Sequence, residues 1–464
     1  MRKEYLKIHT LKREPATKIR FNSTGRVERL TYIGEGASCL VYETERRDII
    51  KEFCPVINGR PTMSRKGGPD DRFTYIESLT PFDRAIVEER RVAFDSEIGL
   101  IEELNSRYRN DEDNMFLIPQ DIPDTSLGRC HWCAYVGGRT LESVFDELKR
   151  NEPDIKDRLM SVLPFIISLY NEIAFYHADN VDGGAVGILN LDVKPENLFA
   201  IRSQGDYIGI RNLDFGSIRR IYDRYDGGSV SEYGLISSIR RFAKENESVE
   251  KGLLVDQIAE KFFACSPGFY DSDRITKTVV RCIDTSTPIE DVASDLRLLD
   301  ILAAWKTLLY ALSDPEEWFY DGDKLRIETE AEMVDRIFAR TFENANLSAG
   351  GSLFESYIIY CELYEIMARS FKGKRIFRLT ASEIAERLRN ILCILKGVAE
   401  NKKTEQQRDI EVMDRIFITK DGLLASHGLR TVGDIVKFCS VNELKKCERP
   451  GALCWFLTFG EKHV

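Results

Sequence analysis

The residues best suited to chemistry in this 464-residue chain gather in one stretch, "GILNLDVKPENLFAI", at 187–201. Asp192 is followed two residues later by Lys194 and five residues later by Asn197, inside an apolar run. On one loop that spacing suits phosphoryl transfer. The carboxylate takes or orients a hydroxyl proton, the ammonium balances charge near the group in transit, and the carboxamide helps hold a divalent cation. Upstream, "GEGASCLVY" puts Gly34 and Gly36 in a strand–turn–strand, where the lack of Cβ lets the backbone approach a polyphosphate. Lys51 ends the next strand in "DIIKEF", and Glu97 lies in the helical pattern "FDSEIGLIEEL". Alone, the Lys reads as a solvated edge residue and the Glu as a surface charge. In that order they form an ion pair that aims a Lys at phosphates. Asp214, in "RNLDFGSI", follows an apolar strand and is placed to chelate Mg²⁺.

These groups need elements to hold them. Residues 27–53 alternate like a β-meander, with the polar turn "ERRD" between two strand-like runs. Residues 54–82, rich in Pro, Gly and charge, read as an inserted loop. From about 83 to 107 the pattern is helical, with Ile98, Ile101 and Leu104 on one stripe. "HWCAYVGG" is a short strand ending at a Gly-Gly hinge. Beyond it the chain is mostly helical to about 396, most clearly in "LMSVLPFIISLYNEIAFYH", "SDLRLLDILAAWKTLLYAL" and "SEIAERLRNILCIL". A charged linker, "ENKKTEQQRD", precedes a small last segment.

Composition narrows the class. The chain is 43% hydrophobic and 31% charged, enough to bury a large core in two or three units. A net charge of −10 argues against nucleic acid or an anionic membrane as main partner. The 11 Cys lack framework spacing and read as reduced thiols of a cytoplasmic protein, and the 5 His show no metal-ligand spacing. "MRKEYLKIHT" has no apolar core of a signal peptide, and "LMSVLPFIISLY" is too short to span a bilayer.

Taken in chain order, the motifs resemble eukaryotic-like Ser/Thr protein kinases of the bacterial type over about residues 22–396, and "IIKEFCP" is similar to the run after the strand Lys in those bacterial members. The resemblance implies an α+β, bilobal protein-kinase fold. Its N-lobe would span 22–138 with an insertion at 54–82, and its C-lobe 139–396 with a long activation segment at 214–273. Residues 1–21 would form an N-terminal extension and 397–464 a linker and small helical module. It implies ATP and Mg²⁺ as cofactors and a protein substrate. Asp192, Lys194, Lys51, Asn197 and Asp214 would be catalytic, with Asn197 and Asp214 on the metal. Gly34, Gly36, Val41, Ile49, Lys51, Glu97, the gatekeeper Cys133, the hinge residues Ala134 and Val136, and Phe199 would bind nucleotide. "ACSPGFYDSDR" looks like the end of the activation segment, pairing Asp273 with Arg378, and Asp295 would tether the catalytic loop's backbone.

Four positions depart from the family pattern: Cys39, Ile49, Asn190 where His is usual, and Leu191 where Arg is usual. None touches phosphate, metal or the acceptor hydroxyl, so the reading is an active enzyme. Its rivals are a nucleotide-binding pseudokinase scaffold and a small-molecule kinase. Lys194 with the following Pro-Glu-Asn favours a protein substrate. Leu191 cannot bind a phosphate, so the loop is expected to be held by apolar packing of Leu191 and by Asp295. Phosphates on Ser229, Ser231, Tyr233 or Ser266 would then be by-products or docking marks.

Three weaker signals complete the reading. Cys130 and Cys133, three apart in a strand, face opposite sides, and His131 and His177 read as ordinary strand and helix-end residues. Residues 217–264 read either as a partly helical insertion or as an autoinhibitory or docking element. The tail "DGLLASHGLRTVGDIVKFCSVNEL" is similar to helix-hairpin segments such as the C-terminal domain of the bacterial RNA polymerase α subunit. It is taken as a helical module packed on the kinase rather than as a DNA reader, with the 397–464 module or the activation-segment insertion as the place where a protein partner would bind.

Overall fold

A computed structural model describes residues 15–107, 120–313 and 378–400, with Leu363, Ile366 and Ser370. The short interruptions are 23, 36–37, 58–59, 66–72, 77–78, 122–126, 128, 134–137, 153–154, 179, 182–183, 186, 204–205, 213–215, 227–228, 264 and 267. The module expected beyond the linker therefore lies outside the described residues, as do the first 14 residues of the N-terminal extension.

The chain is mixed α/β with a curled N-terminal sheet, compatible with the α+β class. Strands β1 (Lys18–Arg20), β2 (Val27–Glu35), β3 (Cys39–Thr44) and β4 (Ile49–Phe53) follow one another antiparallel, as the alternating pattern requires. Later strands β9 (Gln120–Asp121) and β10 (Cys130–Cys133) extend the sheet in the order β1-β2-β3-β4-β10-β9. The polar turn is tight: Arg47 takes a positive φ of 69°, and Thr44 Oγ1 accepts from the Asp48 N–H at 3.1 Å. Because side chains alternate, the sheet has two different faces. Leu40, Tyr42, Ile50 and Cys130 pack with Ala16, Ile19, Leu30 and Leu127 on one. Val41, Lys51 and His131 stand opposite one another across β3, β4 and β10 and belong to the other.

Residues 54–82 are not a bare loop. They fold into two small hairpins, β5 (Val56–Ile57) with β6 (Arg60–Pro61) and β7 (Met63–Arg65) with β8 (Phe73–Tyr75). Arg65 carries a fully buried guanidinium to Glu52, lies over the Phe73 ring at 3.8 Å, and donates to the Tyr42 hydroxyl at 3.2 Å. That hydroxyl donates to Glu52 Oε2 at 2.9 Å and accepts from the Ala16 N–H at 3.0 Å. Burial first, and the Glu52 charge second, push the phenol far above its ordinary range. The insertion thus supplies the countercharge for an acid inside the sheet. Replacing one partner of a buried pair strands the other charge, so Arg65→Met should cost about 3–5 kcal/mol in urea unfolding. Arg65→Met/Glu52→Gln should recover part of that loss; an Arg65→Met protein as stable as wild type would refute the assignment.

Helix α1 (Pro81–Arg107) joins the sheet to the rest. Its first half buries Ile86, Val87 and Phe94 against Phe53 and Ile57. Its second half buries Leu100, Ile101 and Leu104 against Tyr176, Ile188 and Ile218. The buried stripe runs through Leu100, while Ile98 is only half-buried.

After β11 (Gly138–Thr140) come α2 (Leu141–Asn151), α3 (Ile155–His177), the two-residue strands β12 (Asn180–Val181), β13 (Gly184–Ala185) and β14 (Ile188–Leu189), then β15 (Leu198–Ser203) and β16 (Asp206–Asn212). The expected insertion at 217–264 is folded: β17 (Arg219–Arg220), a hairpin of β18 (Arg224–Asp226) and β19 (Ser229–Glu232), α4 (Leu235–Glu245) and α5 (Lys251–Phe262). The hairpin returns to its own base, where Asp223 accepts from the Gly234 N–H at 2.7 Å. A Cβ at Gly234 would stand 2.3 Å from the Tyr222 carbonyl carbon, so only glycine fits that crossing. Helices α6 (Ser272–Ile283), α7 (Ile289–Leu312) and α8 (Ala381–Glu400) complete the described chain. Helix α3 is long and apolar enough to cross a membrane, but 61% of its apolar stretch is buried inside the protein, where α7 and α8 pack on it. Helix α7 is buried nearly all round, the mark of a core helix.

Candidate functional site

Lys51, Val41 and His131 form one row across the sheet, and Ile49 and Cys133, themselves paired, form the next row on the same face. Helix α1 brings Glu97 beneath that face. Lys51 Nζ stands 3.6 Å from Glu97 Oε1, with both side chains nearly fully buried. Four expected nucleotide contacts and Glu97 are thereby gathered on one side of the sheet. Gly34 pairs with Val41, and a Cβ there would meet no atom of the described residues within 4 Å. Phe199 is half-buried on β15, with Gly138 closely against it. Gly36, Ala134, Val136 and Asp214 lie outside the described residues.

The second group is Asp192, Lys194 and Asn197. A 3-10 turn, Pro195–Asn197, swings Asn197 back so that its Nδ2 donates to Asp192 Oδ2 at 2.7 Å and to the Asp192 carbonyl at 3.1 Å. Lys194 Nζ donates to the same Oδ2 at 3.1 Å. The other carboxylate oxygen accepts from the Ser266 hydroxyl at 2.5 Å, which itself accepts from Lys194 at 2.6 Å. The Ser266 hydroxyl thus sits between Asp192 and Lys194. With Asn197 Nδ2 committed to Asp192, its Oδ1 is the acceptor that remains, an oxygen suited to a hard cation such as Mg²⁺.

The loop's support differs from the sequence reading. Asp295 does not tether it; Asp300, one turn and a half further along α7, does. Asp300 Oδ2 accepts from the Asn190 N–H at 2.8 Å and Oδ1 from the Leu191 N–H at 2.9 Å. Tyr270 donates to Oδ1 at 3.0 Å and accepts from the Val193 N–H at 3.0 Å, while His177 Nε2 lies 3.3 Å from Oδ2. Asp295 instead binds Arg281 and, at 2.6 Å, Arg378. Arg378, the partner expected for Asp273, is thus held by the central helix, and Asp273 sits exposed in the first turn of α6. Asn190 Oδ1 accepts from the Asp192 N–H at 3.2 Å, closing a small turn, and Leu191 is buried as expected.

Leu191 takes a φ of 59°, a left-handed conformation that costs a non-glycine residue roughly 1–2 kcal/mol. The Asp300 bonds to the Asn190 and Leu191 N–H groups, with the Asp192 N–H on Asn190 Oδ1, hold that strain. Asp300→Ala should lower stability by on the order of 3 kcal/mol, read by urea unfolding, and should abolish whatever activity depends on Asp192. A variant with unchanged stability and activity would show the loop to be held otherwise.

Behind the strand leading to Asp214, α3 carries a buried acid. Glu172 accepts from the Tyr176 hydroxyl and the Asn212 N–H, and burial raises its pKa to about 7. The unfolded chain ionises near 4.3. Stability is therefore full below that value and is lost as pH rises through about 7, by roughly 3 kcal/mol. The stability of Glu172→Gln relative to wild type should rise by about that amount between pH 4.5 and pH 8. A difference that stays flat across this range would overturn the assignment.

Three site residues escaped the sequence reading: Asp300 among several acids of one helix, Ser266, and His131. His177 and His131 both touch buried acids, yet a lone His carries no spacing signal. Neither a described protein family nor a curated protein matches this sequence.

Proposed function

We propose that the chain is a Mg²⁺-dependent protein kinase of two lobes that transfers the γ-phosphoryl group of ATP to a Ser or Thr hydroxyl of a protein substrate. The observation that carries this reading is the seat of the Ser266 hydroxyl, donating to Asp192 and accepting from Lys194. A carboxylate and an ammonium arranged about a hydroxyl are the groups needed to orient an acceptor and to balance the charge it meets. Lys51, steadied by Glu97, would hold phosphate oxygens; Val41, Ile49, Cys133 and Phe199 would enclose the base. Asn197 Oδ1, with Asp214, would hold Mg²⁺, which supplies positive charge to the phosphates when bound.

In this reading Asp192 accepts or orients the acceptor proton, and Lys194 stays beside it as a fixed positive charge. Transfer of labelled phosphate from ATP to generic protein acceptors should fall by about a hundredfold or more in Asp192→Asn. ATP with Mg²⁺ should still raise the melting temperature of that variant, because a ligand of the folded state alone stabilises it. Equal transfer by wild type and variant would sink the proposal. A melting shift with no transfer by wild type would point to a nucleotide-binding scaffold.

A further inference from the structure

Glu97 is 2% exposed, yet its closest approach to Lys51, at Oε1, is a loose 3.6 Å. A carboxylate taken that far from water needs more than one distant countercharge. Its Oε2 is buried and makes no hydrogen bond among the described residues, and the atom facing it, at 3.4 Å, is His131 Nδ1, also buried and without one there. His131 is 2% exposed, stands directly across from Lys51, and is stacked on Phe94 of α1 with ring centroids 3.8 Å apart and 12° between planes. The imidazole is thus held in a plane by the same helix that carries Glu97, with Nδ1 3.4 Å from the second carboxylate oxygen.

We infer that His131 is a positioning residue. Its Nδ1–H donates to Glu97 Oε2 and fixes that carboxylate so that Oε1 faces Lys51. A carboxylate only accepts, so Nδ1 must carry the proton, and a shift of a few tenths of an ångström makes the bond. The gain is orientation. A Glu held at one oxygen can still turn about its last torsion, whereas one held at both cannot, and the ordering of a Glu side chain is among the larger entropic costs. The effect on activity rests on the kinase reading; the protonation state of Nδ1 does not.

The test has two independent arms. Selective ¹⁵N labelling of the five His, with His131→Phe to assign the signal, reads the tautomer directly. A protonated Nδ1 that changes its shift in Glu97→Gln is expected; a bare Nδ1 would overturn the inference whatever the enzyme does. In the second arm, kcat/KM for ATP should fall about tenfold in His131→Phe, which keeps the aromatic stack but removes the donor. His131→Asn, whose Nδ2 can donate from nearly the same place, should stay within about threefold of wild type. In a Glu97→Met background His131→Phe should add less than about twofold, because no acceptor is left for Nδ1–H. Full additivity of the two changes would mean that His131 serves packing alone. Absence of transfer by wild type, with Nδ1 protonated, would sink the kinase reading and leave the His131–Glu97 bond standing.

Discussion

One carboxylate organises the loop on which everything else converges. Asp300, fully buried on α7, accepts from two successive backbone N–H groups and a tyrosine hydroxyl. Peptide groups in a sharp turn cannot satisfy one another, and a buried N–H without a partner is costly. A single carboxylate on a rigid core helix solves this for Asn190 and Leu191 together. It also allows the left-handed backbone at Leu191 that brings Asp192 round towards Lys194 and Asn197. Tyr270 relays the same anchor to Val193 and stands near Ser266 in sequence, so both sides of the Asp192 carboxylate refer to one fixed point.

The Lys51 row depends on a different principle, the two-sidedness of a sheet. One face of β3 and β4 buries an ion pair supplied by the hairpin insertion; the other presents Val41, Ile49 and Lys51. Helix α1 fits beneath that second face and is held from its far side by α5, where Lys261 donates to the Ala85 carbonyl at 3.3 Å and lies 3.9 Å from Glu89. The position of Glu97 is accordingly set by the sheet, by the helical body and by the segment after Asp214 at once.

Much of this was legible in the residues. Period-2 alternation located β2 to β4 and an apolar stripe located α1, because each buries one kind of face, while α3, α7 and α8 were readable from long apolar runs of helix-forming residues. The order of Lys51, Glu97, Asp192 and Asn197 was readable because each needs its own element. Asp300 was not. A helix buried all round offers no polar face from which to choose, and residues five apart on it differ by about 140° in direction. Asp295 and Asp300 therefore look alike in sequence and meet different partners. The hairpins of 54–82 were hidden for another reason: Gly and Pro signal turns, but the value of Arg65 lies in an acid on a strand it reaches only through folding.

The crossing at Gly234 separates two properties that usually travel together. Because Tyr222 and Gly234 are clamped to each other, the body below them is indifferent to how much chain lies in the hairpin above. Closure entropy grows only by about 0.6 kcal/mol for each doubling of length. Length added between β18 and β19 is therefore cheap in closure entropy, while Gly234 itself admits no side chain.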